Sequence, residues 1–154
     1  MKPRMNFYQA APDTVKALLA LEDKIETSLL DISLTDLVRT RASQINGCAF
    51  CINSHAQDAR KNGETEQRLY LLNAWREAPC YTDRERAALA WTEAVTLISQ
   101  THAPDDVYDE ARKHFSEAET VNLTMLIASI NAWNRLAISF RSVPPVKAKV
   151  AAAS

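Results

Sequence analysis

Apolar residues recur at intervals of three and four along most of the chain, the spacing of one face of an α-helix. The first such series predicts a helix from Pro12 to about Leu29, with apolar positions at Val15, Leu18, Leu19, Leu21, Ile25 and Leu29. Three four-residue segments resemble capping boxes, which mark the first turn of a helix. They are Ser33–Asp36, with Asp in place of the usual Glu, then Thr82–Glu85 and Ser116–Glu119. The pattern therefore predicts helices that begin near residues 33, 82 and 116.

Glycines and prolines separate the remaining periodic segments. The chain has only two glycines, Gly47 and Gly63, and each falls where a helical pattern ends. We expect helices that end at Asn46-Gly47 and at about Gly63, then helices over 65–76, from 82 to about 100, and after Pro104. A sheet needs turn residues at short intervals, and two glycines do not supply them. The sequence therefore predicts an all-α fold, a single-domain helical bundle of about seven or eight helices over residues 1–154.

The last predicted helix, over residues 116–141, is apolar on almost every side. A helix of this kind is central in a bundle or shared with another subunit. We therefore expect a homo-oligomer in which part of this helix, or of the helix that carries Trp91, is buried between subunits.

Composition and charge narrow the function classes. The chain has 154 residues, 47% of them hydrophobic, and a formal net charge of −1. It contains no block of like charges, which argues against a nucleic-acid partner. No stretch approaches the roughly 20 apolar residues of a membrane span, and the N-terminus lacks the apolar run of a signal peptide. We expect a cytoplasmic protein, where paired cysteines are more often catalytic or metal-binding than structural.

One short run carries the candidate chemistry: Asn46-Gly47-Cys48-Ala49-Phe50-Cys51-Ile52-Asn53-Ser54-His55. On a helix, Cys48 and Cys51 are neighbours and His55 lies beside Cys51. This spacing supplies a nucleophilic sulfur, a second sulfur that can close a disulfide, and a base expected to have a pKa near neutral. The helix dipole favours Cys48 as the reactive thiolate, whereas His55 favours Cys51. The residues alone leave that choice open.

Three further interpretations of the run stay open at this point. Cys48, Cys51 and His55 could bind zinc, although a structural zinc site usually takes four protein ligands and no fourth is evident. The run also fits a structural disulfide, or a pair of buried cysteines with a surface histidine. A thioredoxin-type carrier is disfavoured, because that fold places its CxxC after a strand and the segment before Cys48 is helical in pattern.

Two carboxylates are candidate partners of the dithiol. Asp36 stands twelve residues before Cys48, and two antiparallel helices joined at Asn46-Gly47 would bring it near; its alternative role is to cap the helix with Ser33. Glu93 lies in an apolar stripe and is expected to be partly buried, with a raised pKa or an ionic partner. Arg135 is one possible partner, and a structural ion pair is the alternative role of Glu93.

Three segments resemble the carboxymuconolactone decarboxylase superfamily, and most closely its alkylhydroperoxidase D (AhpD)-like branch. They are Leu37–His55, Asp83–Glu93 and Asn131–Arg135, within a motif core of about residues 35–140. The resemblance implies an all-α fold, assembly as a trimer or a hexamer, and thiol-dependent reduction of hydroperoxides. We expect no cofactor and no metal. The decarboxylase activity belongs to members that lack the CxxC, so the resemblance does not imply it here.

The resemblance also implies residue roles. Cys51 is the sulfur that reacts with peroxide, Cys48 resolves the product, and His55 relays protons. Asp36 stands where the family has a relay glutamate, so the relay is bridged by water or falls to another acid such as Glu93. Phe50 replaces a histidine of the best-characterised member, which points to the wider branch.

The sequence therefore predicts a peroxidase that cycles through a sulfenic acid and an intrachain disulfide. A hydroperoxide is the expected substrate, and an external dithiol of protein or lipoyl type is the expected reductant. The rivals are a non-enzymatic redox sensor or assembly module and a small-acid decarboxylase or isomerase.

Overall fold

A computed structural model describes residues 2–28 and 30–146. In these ranges the helices are α1 (Phe7–Ala10), α2 (Pro12–Glu26), α3 (Ile32–Asn46), α4 (Ala49–Lys61), α5 (Glu66–Leu71), α6 (Asp83–Thr96), α7 (Ile98–Thr101), α8 (Asp105–His114) and α9 (Glu117–Phe140). No strand occurs in the described ranges, which confirms the all-α prediction. The helices outnumber the predicted seven or eight because α1 and α7 are single turns. No helix in these ranges combines the length and apolar character that crossing a membrane requires.

Helix α3 occupies the centre of the fold and packs against α4, α6 and α9. The main core lies where α3, α6 and α9 meet and contains Val38, Ala88, Leu123 and Ile127, all fully buried. Leu37 joins a second core with Leu72 and Leu89. Burial of apolar area on this scale is the main favourable term in folding, and it fixes the helices that hold the site.

Helix starts are partly as predicted. Both full capping boxes form, at Thr82 with Glu85 and at Ser116 with Glu119. The predicted box at Ser33 is wrong, because Asp31 is the N-cap of α3 and accepts a hydrogen bond from the backbone N–H of Leu34 at 3.1 Å. The side chain of Asp36 is therefore free of a capping role.

Three helix ends differ from the sequence prediction. Helix α2 ends at Glu26, and the predicted end at Leu29 lies outside the described residues. The helix predicted over 65–76 is split into α5 and a 3-10 helix, Leu72–Ala74. The helix predicted to reach residue 100 breaks at Leu97, which separates α6 from α7.

The N-terminal segment packs on the far end of α9. The backbone N–H of Arg4 donates to the carbonyl of Phe140 at 3.0 Å, and the ring of Phe7 lies 5.8 Å from that of Phe140. The ring of Tyr8 stacks on Trp133 at 6.2 Å. These contacts hold the aromatic side chains of α1 against α9.

Candidate active site

The turn between α3 and α4 positions the two cysteines. Gly47 ends α3 with φ of 69°, a left-handed conformation that glycine adopts without strain. The backbone N–H of Cys48 then donates to the carbonyl of Ser43 at 3.0 Å. Asn46 ties the turn to α9, since its amide donates to the side-chain oxygens of Asn131 at 3.0 Å and Asn134 at 2.8 Å. These hydrogen bonds fix the chain where it enters α4.

Cys48 and Cys51 form a disulfide in this structure, with Cα atoms 5.4 Å apart. Cys48 is the N-cap of α4, and its sulfur accepts a hydrogen bond from the backbone N–H of Cys51 at 3.3 Å. Both cysteines are almost fully buried and pack against Ala137 of α9. Helix α4 begins at Ala49, so Cys48 is its N-cap and not a first-turn residue as expected, and Cys51 lies in the first turn. The helix dipole therefore favours a thiolate at either sulfur.

A cavity of about 550 Å³ opens beside the disulfide, between α2, α3, α4, α9 and the N-terminal segment. Cys51, His55 and Asp36 all line it, whereas Cys48 does not. Three of the five predicted site residues are thus brought to one cavity. The two sulfurs differ in access: Cys51 faces the space that a substrate could occupy, and Cys48 lies behind it.

His55 is a weaker base than the sequence suggests. Burial, followed by the nearby positive charge of Arg39, lowers the pKa of His55 from 6.5 to about 4. Asp58 and Glu22 act in the opposite direction but do not outweigh burial. The expected near-neutral pKa is wrong in the disulfide state, where the imidazole is neutral at pH 7. A thiolate on Cys51 would favour the imidazolium, because an opposite charge close by raises the pKa of a histidine.

Asp36 is only 2% exposed, and the side-chain amide of Asn62 donates to one of its carboxylate oxygens at 2.7 Å. Burial raises the pKa of Asp36 above its ordinary 3.8, and the Asn62 hydrogen bond and the charge of Arg39 offset part of that shift. A buried carboxyl with a raised pKa is a common feature of functional sites. Asn62 follows α4, so the hydrogen bond joins the two helices that flank the cavity.

Glu93 does not line the cavity. It forms ion pairs with Arg41, at 2.8 Å, and with Arg76, and it accepts a hydrogen bond from the indole of Trp75 at 2.8 Å. Burial acts to raise the pKa of Glu93, but the hydrogen bonds from Trp75, Arg76 and Arg41 outweigh it, so the pKa is lowered. Of the two expected alternatives, the ionic partner holds and the raised pKa does not. The suggested partner Arg135 is wrong, because Arg135 bonds Asn131 instead.

An ion pair that the sequence did not predict lines the same cavity. Arg39 donates to Glu22 at 2.6 Å, and both side chains are largely buried. Glu22 also accepts hydrogen bonds from the indole of Trp133, at 3.1 Å, and from the hydroxyl of Ser129. The pair and its hydrogen bonds to α9 join α2, α3 and α9 beside the cavity. The only signal in the sequence was Glu22 beside the apolar positions of α2, which does not name a partner on another helix.

These features define a class: an all-α protein with a disulfide-forming CxxC at the start of a helix, beside a cavity that contains a histidine and a buried carboxyl. The model of the carboxymuconolactone decarboxylase family matches residues 12–94. YdfG of Bacillus subtilis, an uncharacterised protein, is 42% identical over 139 residues, which are 90% of this chain and 95% of YdfG. The chain belongs to the carboxymuconolactone decarboxylase family.

A solved structure that is 46% identical places the chain in the AhpD-like branch of that family. ATU0492 from Agrobacterium tumefaciens, a protein of unknown function with a suggested role in antioxidant defence as AhpD, has a TM-score of 0.92 and 46% identity. The match covers 95% of this chain and 100% of ATU0492. An uncharacterised peroxidase-related protein from Silicibacter sp. TM1040 has a TM-score of 0.79 and 22% identity over 90% of this chain and 73% of that protein, a likeness of fold alone.

Proposed function

We propose that this protein is a thiol-dependent peroxidase that reduces hydroperoxides with the Cys48–Cys51 dithiol. The observation that carries the proposal is the unequal access of the two sulfurs: Cys51 lines the cavity with His55 and Asp36, and Cys48 lies behind it within bonding distance. The suggested antioxidant role of ATU0492, a close structural relative, supports the same chemistry.

The reaction begins at Cys51 in the reduced protein. Neutral His55 accepts the thiol proton, and the sulfur attacks one peroxide oxygen while the oxygen–oxygen bond breaks. The leaving alkoxide takes the proton from His55 and departs as an alcohol, and Cys51 becomes a sulfenic acid. Sulfur is oxidised by two electrons and the peroxide is reduced by two.

Cys48 then closes the cycle. Its thiol attacks the sulfenic sulfur of Cys51, a disulfide forms, and the hydroxyl leaves as water. An external dithiol restores both thiols by exchange and becomes a disulfide itself. The carboxyl of Asp36 lines the cavity, and its raised pKa suits it to exchange protons with water there.

Turnover tests the proposal against a redox sensor. With excess dihydrolipoamide, the wild type should consume many equivalents of tert-butyl hydroperoxide per chain, and Cys51→Ser should consume none. Cys80→Ser is the matched control, because Cys80 is a free cysteine outside the cavity. Consumption that stops after one equivalent would favour the sensor, and activity retained by Cys51→Ser would refute the proposed role of that sulfur.

A further inference from the structure

The walls of the cavity are largely hydrocarbon. Eight apolar residues line it: Phe7, Tyr8, Leu19, Ile32, Phe50, Ile130, Trp133 and Ala137. Its volume of about 550 Å³ lies in the range of sites that bind small organic molecules. Hydrogen peroxide, close in size to water, would leave most of this surface without contact. The walls therefore fit a hydroperoxide with an aromatic or branched hydrocarbon group.

The charges in the cavity are unbalanced. Five carboxylates line it, from Glu22, Asp23, Glu26, Asp36 and Asp58, against two cations, Arg39 and Lys61. The formal net charge of the whole chain is only −1, so acidic groups are concentrated here. His55 adds no positive charge at neutral pH, because burial lowers its pKa to about 4.

Both cations already have anionic partners. Arg39 bonds Glu22 at 2.6 Å, with Glu26 at 3.9 Å, and Lys61 bonds Asp58 at 2.7 Å. The indole of Trp133 holds Glu22 in that pair by a hydrogen bond. If Arg39 bound another anion, the buried charge of Glu22 would lose its main cationic partner, which is costly. Asp23 forms no such pair within the described part of the chain. A substrate carboxylate would therefore meet net repulsion.

We propose that the cavity selects uncharged organic hydroperoxides bearing an aromatic or branched hydrocarbon group, and rejects the same molecules when they carry a carboxylate. As a statement about reaction rates, the inference rests on the proposed function. The selectivity of the cavity for uncharged molecules can be measured separately, by binding alone. Asp23 and Glu26, near the end of α2, are the specificity-determining residues.

A matched substrate pair tests the kinetic form. Cumene hydroperoxide and its para-carboxylate derivative share the reacting group and the ring and differ in charge. We expect kcat/KM to be about tenfold or more higher for the neutral compound at low salt, and the ratio to shrink as salt screens the carboxylates. Equal values, or a preference for the carboxylate, would overturn the inference and leave the peroxidase function intact.

Variants of α2 assign the selectivity to named residues. The double variant Asp23→Asn and Glu26→Gln should raise kcat/KM for the carboxylate several-fold relative to the value for cumene hydroperoxide. Loss of two negative charges at the C-terminal end of α2 suits the helix dipole, so the variant should fold. Asp13→Asn is the control, because Asp13 lies at the other end of α2 with its side chain 97% exposed. An unchanged ratio in the double variant would refute the assignment to these residues.

Binding of unreactive alcohols separates the inference from the proposed function. Isothermal titration calorimetry of the disulfide form should detect 2-phenyl-2-propanol and show at least about tenfold weaker binding of its para-carboxylate derivative, a difference of about 1.4 kcal/mol. This result with no peroxide turnover would refute the peroxidase and keep the selectivity. Tighter binding of the carboxylate that is lost in Arg39→Gln would show that Arg39 binds anions, and it would overturn the inference. Failure of the neutral alcohol to bind would also overturn it.

Discussion

The side-chain amide of Asn62 donates a hydrogen bond to a carboxylate oxygen of Asp36 across 2.7 Å, linking the end of α4 to the middle of the fold. The contact lowers the pKa of Asp36, which burial holds above 3.8. It therefore favours the charged form of a carboxyl that has few other means of compensation. In sequence the two residues are 26 positions apart, and no local pattern pairs them.

Removing this contact should destabilise the protein in a pH-dependent way. Asn62→Ala should raise the pKa of Asp36 further and lower the free energy of unfolding at pH 7 by about 1–3 kcal/mol, the usual cost of removing a partner from a buried polar group. A raised folded-state pKa costs stability above that pKa and none below the unfolded value, so the loss should diminish as the pH falls through the raised pKa of Asp36 towards 3.8. Urea unfolding across pH measures both effects.

Asn53→Ala is the control, because Asn53 lies on α4, whose C-cap is Asn62, and bonds the exposed Gln57 instead. We expect that variant to lose little stability at any pH. A loss in Asn62→Ala that is the same at pH 3.5 and pH 7 would contradict the link to the ionisation of Asp36.

The two cysteines should leave different products when each is tested alone. Cys48→Ser should react once with peroxide and leave a sulfenic acid on Cys51 that dimedone can trap, since the resolving sulfur is gone. Cys51→Ser should leave no trapped product, because Cys48 does not line the cavity. Mass spectrometry of the labelled peptides distinguishes the two. Trapping at Cys48 in Cys51→Ser would reverse the proposed roles.

The lowered pKa of His55 predicts a slope of stability against pH. Between about 4 and 6.5 the unfolded chain binds a proton at His55 that the folded chain does not, so stability rises with pH through this window. Asp36 acts in the opposite sense nearer its own ordinary value of 3.8. The difference between the wild type and His55→Gln therefore isolates the histidine, and the variant should show the smaller slope.

Thermal unfolding in buffers from pH 4 to pH 7 is the measurement for His55→Gln, with exposed His102→Asn as the control. We expect a change in Tm of a few degrees at the acidic end of the window and almost none at neutral pH. Identical pH profiles for the wild type and His55→Gln would mean that His55 is not buried in the folded protein.

Glu93 should matter for stability and not for peroxide chemistry. Its pKa is lowered by its hydrogen bonds, so it contributes stability above its ordinary value of 4.5, and that contribution is lost as the pH falls through the lowered folded-state pKa. Glu93→Gln should lower the free energy of unfolding at pH 7 by about 1–3 kcal/mol. Glu117→Gln, at a side chain 94% exposed, is the control. A large fall in kcat with unchanged Tm would return Glu93 to the catalytic residues.

Local signals in the sequence predicted the parts of the site that lie on one helix. Gly47 and the CxxC-x3-His spacing placed Cys48, Cys51 and His55 correctly, because helical spacing alone brings them together. Asp36 was a candidate both from its place on the helix before Cys48 and from the family resemblance, and it lines the same cavity as Cys51 and His55. The spacing between Asp36 and Cys48 alone left open the alternative that Asp36 caps the helix.

The sequence predictions that were wrong depend on contacts between helices that are far apart in the sequence. The partners of Glu93 come from α3 and from the segment after α5, and the Glu22–Arg39 pair joins α2 to α3. A periodic pattern shows which face of a helix is buried but not which side chain it meets. The pKa of His55 was misjudged for the same reason, since burial by neighbouring helices dominates it.

The two faces of α9 differ in how well the chain covers them, and this difference bears on assembly. The inner face of α9 buries Leu126 and Ile130, but its outer face leaves Val121 61% and Met125 41% exposed. Neighbouring apolar side chains exposed on one helix face are typical of a protein contact.

We predict that a second copy of this chain covers the outer face of α9, within a trimer or a hexamer. The double variant Val121→Lys and Met125→Lys should therefore shift the mass measured by light scattering at micromolar concentration towards the 17.2 kDa of one chain. Tyr70→Lys is the control, because Tyr70 is also a large exposed residue but lies on α5. A wild-type protein that is monomeric at this concentration would refute the prediction. Two charges buried in an apolar contact would not be tolerated, so an oligomer unaffected by the double variant would place the contact elsewhere.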